Sequence, residues 1–505
     1  MIKPFTDEKT NSLLIKVSDF LTSRNIDSYL VGGYIRDTLL GRPTRDIDIA
    51  LPQALEVAQN LAKVLDGKYV ELDKVNGVAR VVLTDPAQGN RWYFDFSTIK
   101  IDIDENLSHR DFTIDAIAVS LIEPEGGYLI DPFQGQKDLE RGLIRVVSKT
   151  AFQDDPARLL RAVRLAAEYG FVIDEETEAL IRTQSQLICN VAGERVREEL
   201  CRLLSTPNSA PFLCYLDRLG LLTAIFPELE LTKGVEQPWE HYWDVFHHSI
   251  ETVAAIERLL KANEPDQDQV LSLVPRPSVL IQHLEQEAGS GLTRSTLVKM
   301  AAILHDIAKP QTKSIESNGR ARFLGHTKEG AIITGHILQR LRFSTRETKM
   351  VQKMVESHLR LWQMGDDNKP TRRAIYRYFR DTADVSMDII FLALADHLAT
   401  YGPKLDLEDW KQSTQLVEYI LLQQEKEESI ITPTKLIDGY DLMNIFVLKP
   451  GPQIGELLEA VREAQASGEI ATREEALAFV HSRLSNVQDK LYVTSLSQKD
   501  TSSPT

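Results

Sequence analysis

Two carboxylates, Asp46 and Asp48, stand one residue apart in the stretch YLVGGYIRDTLLGRPTRDIDIAL, residues 29–51. Alternate side chains of a strand share a face, so Asp46 and Asp48 project together while Ile47 and Ile49 turn to the core. Like charges at that spacing repel unless a cation lies between them. That is the arrangement in which Mg2+ is held by one or two acidic ligands plus substrate phosphates. An isolated Asp-x-Asp is more often a solvated strand face, but here Gly32 and Gly33 precede it, following one strand and opening a helix. Backbone N–H groups at such an elbow can approach a phosphate, and Arg36 comes one turn later. Asp95, in RWYFDFSTI, alternates away from Trp92, Phe94 and Phe96 and is a candidate third acidic group near the metals, or else a plain surface aspartate.

A second constellation lies in DDPARLLRAVRLAAEYGF, from Asp154. Pro156 suits a first helical turn, so a helix is predicted to start at Asp155, with Asp155 and Arg158 on one face and Gly170 as its C-cap. A carboxylate only accepts hydrogen bonds and a guanidinium only donates them. Cytosine and adenine both present an amino donor beside a ring-nitrogen acceptor and match such a pair. Guanine and uracil present the reverse order, which leaves buried groups unpaired at a cost of about 1–3 kcal/mol each. The pair therefore reads C and A. Arg161 and Arg164 continue the stripe at three-residue steps, suited to a triphosphate; without the other motifs, a solvated salt-bridge ladder would be the better reading.

The elements that must position these residues follow from hydrophobic period. Short β-rich runs alternate with turns from about Ser28 to Val147, giving an α+β head built on a mixed, mostly antiparallel sheet plus helices. After Phe152 the period is helical throughout. Boundaries are expected at 1–147 for the head, 148–235 for a helical neck, 236–400 for a histidine-rich helical domain, 401–494 for a helical C-terminal region and 495–505 for a disordered tail. Lys261 to Ser290 reads as an insertion loop. At 505 residues the chain is too long for one core. Cys189, Cys201 and Cys214 lack metal or redox spacing and are expected to be buried apolar residues. No apolar run could span a bilayer and no leader is evident, so a cytoplasmic protein is expected, with no membrane partner. The net charge of -16 argues against non-specific nucleic-acid binding; an RNA partner would need a locally basic face.

In this combination the chain resembles the DNA polymerase β-like nucleotidyltransferases, and specifically the bacterial tRNA nucleotidyltransferase and poly(A) polymerase family. HRDFTIDAIAV from His109, DPFQGQKDLERGLIRVV from Asp131, the Asp154 segment and GERVREELCRLL from Gly193 extend that resemblance over roughly the first 230 residues. It implies phosphate contacts at Gly33, Arg36 and Arg110, Mg2+ ligands at Asp46 and Asp48, a ribose contact at Asp111, and nucleotide selection by Asp155 and Arg158. His109 replaces the family's first arginine and Asp115 its usual asparagine. The implied reaction is attack of an RNA 3′ hydroxyl on the α-phosphate of CTP or ATP with release of pyrophosphate, requiring no nucleic-acid template. Members that complete CCA, or add only the final A, generally carry a flexible, often DGR-containing loop before the HRDFT element. STIKIDIDENLSHRDF has only a short acidic connection there, as in the CC-adding members, which leave the A step to a separate A-adding enzyme. Full CCA addition and poly(A) addition are the alternatives.

HYWDVFHHSIETV, AAILHDIAKP, FLGHTKEGA and LALADHLATYG contain in order His248, the His305-Asp306 doublet, His326 and Asp396. Histidines and carboxylates suit divalent transition metals, and this order resembles the HD phosphohydrolase superfamily. His248, His305, Asp306 and Asp396 are the expected ligands of a second divalent metal; His241, His247 and His336 are read as structural. An HD phosphohydrolase with an RNA-binding head is thus a rival reading of the whole chain, against which the intact Asp46, Asp48, Asp155 and Arg158 count. TRRAIYRYFRDT groups Arg372, Arg373, Arg377 and Arg380 with Tyr376, Tyr378 and Phe379, the best local candidate for an RNA-backbone patch, with a solvated basic face as the alternative. The segment from Leu436 resembles the tail that touches the outer part of tRNA in long members of the family.

Overall fold

The computed structural model describes residues 8–84, 89–121, 129–264, 268–364, 369–426 and 435–497. They fall into two compact units, Met1–Pro227 and Glu228–Thr505. No helix among the described residues is long and apolar enough to cross a membrane.

The first unit opens with α1 (Glu8–Thr22), β1 (Tyr29–Val31), α2 (Gly33–Leu39), β2 (Asp46–Leu51) and α3 (Ala54–Val64). β3 (Lys68–Asp73), β4 (Val78–Thr84), β5 (Arg91–Thr98), α4 (Ile103–Ser108), β6 (Ala118–Ser120) and β7 (Leu129–Ile130) complete the head. The sheet runs β3-β4-β5-β2-β1-β6-β7, with β2 and β5 parallel and the other neighbours antiparallel. Ile47, Ile49, Leu51, Phe94 and Phe96 are buried on one face with Val17 and Leu21 of α1 and Ala58 and Leu61 of α3. Each of these side chains except that of Ala58 contributes about 1.5–3 kcal/mol on burial. That face fixes the register, because a slip of one residue would exchange Ile47 and Ile49 for Asp46 and Asp48.

Downstream come α5 (Gly135–Arg141), α6 (Ala151–Asp154), α7 (Arg158–Tyr169), α8 (Glu175–Gln184) and α9 (Gly193–Leu204). α7 begins three residues later than the sequence predicts. Asp155 precedes Pro156, whose ring disfavours helical backbone at the residue before it, and Asp155 is accordingly extended (φ -147°, ψ 97°) between α6 and α7. Gly170 caps α7 in the left-handed conformation, as expected.

In the second unit the helix Val245–Leu259 packs on Arg294–Leu304 and Ser386–Tyr401, and His326–Arg340 packs on Thr345–Ser357. Lys261 to Ser290 is not simply a loop: Pro277 opens a helix to Glu285 that buries Leu280, Ile281 and Leu284. The proline that reads as a breaker sits at a first-turn position, where its missing N–H costs nothing. Helices Gly439–Phe446, Pro452–Ala466 and Arg473–Ser497 close the chain around Leu442, Val461 and Val480. The expected disordered tail begins inside that last helix, and 498–505 lie outside the described residues. Cys201 is buried, whereas Cys189 is exposed at the end of a 3-10 turn, contrary to expectation.

Candidate active site and metal centre

In the head, parallel register sets Asp48 directly opposite Asp95, and Asp46 shares their face. Burial pushes the Asp48 carboxyl up to about 6, with Arg110 opposing the shift and Asp95 and Asp115 adding to it. Asp46 is also raised by burial, against the pull of Arg80. Asp95 is gripped at both oxygens by Arg80 from β4, at 2.7 Å each. Asp46 and Asp48 offer carboxylate oxygens of the kind that suits Mg2+ rather than a softer ion, and Asp95, across the strand pair, is already neutralised by a guanidinium.

At the glycine elbow, Gly32 has φ +68°, and a Cβ there would stand 3.0 Å from Arg110 Nη1 and 3.1 Å from Asp48 Oδ2. Glycine is needed on both counts, for the left-handed backbone and for the approach of the two side chains that flank it. Gly32, Gly33 and Asp48 line a cavity of about 280 Å3 together with Arg110, Asp111, Asp155, Arg158 and Arg161. Asp46 and Asp95 are not part of that lining.

The Asp111 carboxylate is ion-paired with Arg161, 2.8 Å from its Nε, and accepts from the Phe112 N–H at 3.0 Å. Burial would raise it, but Arg161 and Arg158 hold it below the ordinary carboxylate range. Arg158 donates to the His109 carbonyl at 2.7 Å. Arg195 from α9 donates to both oxygens of Asp155, at 2.9 and 2.7 Å, and keeps that carboxyl low against its partial burial. Arg195 and Glu199 line the cavity and were not singled out from sequence. Opposite charges four residues apart on a helix were the available signal.

Two arginines expected at the triphosphate, Arg36 and Arg164, are not part of the cavity lining, although Arg36 lies beside Gly33. Arg36 is buried, donates to Asp115 at 2.6 Å and to Asp37 at 3.0 Å, and stacks over Tyr169 at 4.6 Å. It braces α2 from beneath, and Asp115, in place of the family's asparagine, supplies the charge it needs. Arg164 is buried between Glu168 and Glu199. The cause is helical drift: each three-residue step falls back about 60°, so Arg164 stands about 120° around α7 from Arg158.

In the second unit the four expected metal ligands meet, joined by His326 and by His358, which sequence reasoning missed. His248 Nε2 lies 2.9 Å from Asp396 Oδ1 and 3.2 Å from His305 Nε2, which is 3.2 Å from Asp306 Oδ2. All six side chains are at least nine-tenths buried. His305, His326 and His358 each place Nδ1 against the carbonyl three residues upstream, of Ala302, Phe323 and Val355. Those bonds fix the tautomer and leave Nε2 as the free donor, as metal-ligating histidines require. Burial pushes His358 down to about 3, so it stays neutral. Lys309 Nζ is 2.6 Å from Asp306 Oδ2 and 2.6 Å from Gln237 Oε1. His241, 5.5 Å from His248 between ring centroids, and His247, paired with Asp244, take no part in the cluster. The donor set of imidazoles and carboxylates fits a divalent transition metal.

The arginine stripe expected to bind RNA is largely engaged within the chain. Arg377 pairs with Glu463, Arg380 with Glu459 at 2.9 Å and with Asp381, and Arg373 with Glu469 at 2.7 Å. Tyr376 also donates to Glu459. The stripe docks the helix Pro452–Ala466, whose acidic residues could not be matched to it from sequence. Arg372 is exposed at the start of its helix, near Gly468.

Residues 28–145 match the poly A polymerase head domain and 170–232 the RNA- and SrmB-binding site of polymerase A. Residues 245–401 match the HD domain and 333–480 the tRNA nucleotidyltransferase domain 2. The chain is 33% identical over 463 residues to an A-adding tRNA nucleotidyltransferase of Deinococcus radiodurans, covering 89% of this chain and 94% of that one. It is 32% identical to a CC-adding tRNA nucleotidyltransferase of Thermus thermophilus, covering 90% and 93%. Among solved structures, the apo form of a CCA-adding enzyme shares the fold with a TM-score of 0.62 at 22% identity over 94% of each chain.

Proposed function

Since the chain belongs to the tRNA nucleotidyltransferase family, we propose that it adds two C residues to the 3′ end of tRNA from CTP, in the cytoplasm and without a nucleic-acid template. In this reading Asp46 and Asp48 hold Mg2+, with Asp95 close by. The ion would activate the 3′ hydroxyl and neutralise the triphosphate. Gly32 and Gly33 offer backbone N–H groups to the phosphates, Arg110 and Arg161 neutralise them, and Asp111 orients the ribose. Asp155 accepts from the base amino group while Arg158 donates to the ring nitrogen. The 3′ oxygen then bonds to the α-phosphorus as the bond to the leaving pyrophosphate breaks. We assign the head to 1–147, the nucleotide-selecting neck to 148–235, a metal-holding domain to 236–400 and a tRNA-contacting region to 401–494.

The observation that carries the choice of C is the connection before His109. There the short helix α4, capped by Asp102 accepting from the Glu105 N–H at 2.8 Å, takes the place of a long basic loop. A second reading, addition of the terminal A, is favoured by the likeness to the Deinococcus radiodurans enzyme. The test is incubation of the chain and Mg2+ with tRNA lacking CCA, or ending in CC, and with CTP, ATP or both, resolving products to one nucleotide. Growth by two residues with CTP, unchanged by ATP, is expected. A single A on the CC-ended tRNA and nothing from CTP would establish the second reading, completion to CCA would discard the loop argument, and a long tail from ATP alone would indicate a poly(A) polymerase.

A further inference from the structure

The face of the head sheet opposite its apolar core carries two rows of side chains in register. One runs Val70, Arg80, Asp95, Asp48 and the other Lys68, Val82, Tyr93, Asp46, from the edge strand β3 through β4 and β5 to β2. Both rows end on a carboxylate of the candidate active site. Ala79, Val81, Phe94 and Phe96 on the other face are buried, whereas Val70, Arg80, Val82 and Tyr93 are only half-buried and Lys68 is exposed. The nucleotide cavity takes in Gly32, Gly33 and Asp48 but leaves Arg80, Tyr93 and Asp95 outside its lining. In a phosphoryl transfer the attacking and leaving oxygens stand roughly in line. With the leaving pyrophosphate toward the glycine elbow, the attacking hydroxyl enters from the opposite side, over β5 and β4.

Arg80 lies on that path. Asp95 accepts from its Nε and its Nη2 at 2.7 Å each, and the Tyr93 ring centre is 5.1 Å from the guanidinium carbon. Nη1 has no partner among the described residues, and the side chain is 37% exposed. A guanidinium fixed along one edge loses little freedom when its other edge binds, and phosphate is an anion that its planar fork matches. β4 stands two strand spacings, about 10 Å, from β2 and its carboxylates. The geometry points to Arg80 as the residue that grips the phosphate of the last internucleotide linkage of the acceptor RNA, with Asp95 as its positioning residue rather than a third metal ligand. This assignment rests on the reading of Asp46 and Asp48 as the carboxylates at which transfer occurs.

The test follows nucleotide addition to tRNA lacking CCA whose last linkage is either a phosphate or a neutral methylphosphonate. Arg80→Ala should raise KM for the phosphate-linked RNA roughly 10-fold, as loss of one charged hydrogen bond does, and leave KM for CTP in place. The methylphosphonate should impose a like loss on the parent and none further on Arg80→Ala; additive losses would overturn the contact. Arg80→Lys should recover part of the affinity for the phosphate-linked RNA. Asp95→Asn should raise KM for RNA only while Arg80 is present, and a fall in kcat with or without Arg80 would overturn the positioning role. Equilibrium binding of the RNA in EDTA adds a readout free of metal, in which Arg80→Ala should reduce the salt slope by about one. An unchanged slope and KM would overturn the assignment of Arg80 while sparing Asp46 and Asp48, and a parent chain that adds no nucleotide would overturn both. Should Arg80→Ala fail to fold by circular dichroism, Arg80→Gln serves, with the same expected loss.

Discussion

Asp48 shares its strand face with Asp46 and Asp95 and borders Arg110, yet burial still holds its carboxyl at about 6. A raised carboxylate binds a proton in the folded state that the unfolded chain has already released. Stability from this group is therefore greatest at low pH and is lost as pH rises toward 6. Asp48→Asn should raise the melting temperature in EDTA at pH 7.5, with the gain shrinking toward pH 4, while nucleotide addition falls at least about 100-fold, beyond the loss of an outer partner of a metal ligand. In the parent enzyme, bound Mg2+ would hold Asp48 ionised below that range, so the pH at which addition declines should move down as Mg2+ is raised. Melting curves and single-nucleotide gels across that range measure both, and an unchanged addition rate in the folded variant would remove Asp48 from the metal site. This pair was legible in the sequence because strand alternation assigns faces without knowledge of anything distant. Arg36 was not, because its partner Asp115 lies 79 residues away and only the fold brings them together.

At the scale of elements, the proposed base-reading pair Asp155 and Arg158 is positioned by two helices rather than one motif. Asp155 lies outside α7, in the extended residue before Pro156, and α9 holds it through Arg195. Arg195→Ala should therefore relax selection: the ratio of CTP to UTP incorporation is expected to fall roughly 10-fold, within the range set by one lost charged hydrogen-bond pair. Arg195→Lys should recover part of it, since the charge remains but the fork does not. Competition between labelled nucleotides reads the ratio independently of total activity, and an unaltered ratio would assign Arg195 to scaffolding. Sequence periodicity found the helix and its glycine cap but misplaced the start, because proline at a first turn and proline as a boundary look alike until the preceding residue is seen. It also overextended the arginine stripe, since three-residue spacing drifts around a helix and carried Arg164 into the buried pair of glutamates.

Across the whole molecule, the surplus of negative charge and the docked arginine stripe belong together. Arg377 and Glu463 should couple by about 0.2–1 kcal/mol in a double-mutant cycle followed by chemical denaturation, as exposed ion pairs do. Arg377→Ala should leave the salt dependence of tRNA binding unchanged; a slope reduced by about one would return that arginine to the RNA. The histidine cluster was largely readable, since His248, His305, Asp306 and Asp396 lie in recognisable order. His358 was not, because a histidine in a helical segment has no mark of its own until His326 and Asp306 are seen beside it. With Arg373, Arg377 and Arg380 paired to internal glutamates and a net charge of -16, the chain has little long-range attraction for a polyanion. Such a field would slow the approach of an unfinished RNA and equally ease the departure of the finished one, so turnover would be gained where a tighter grip would leave the product bound.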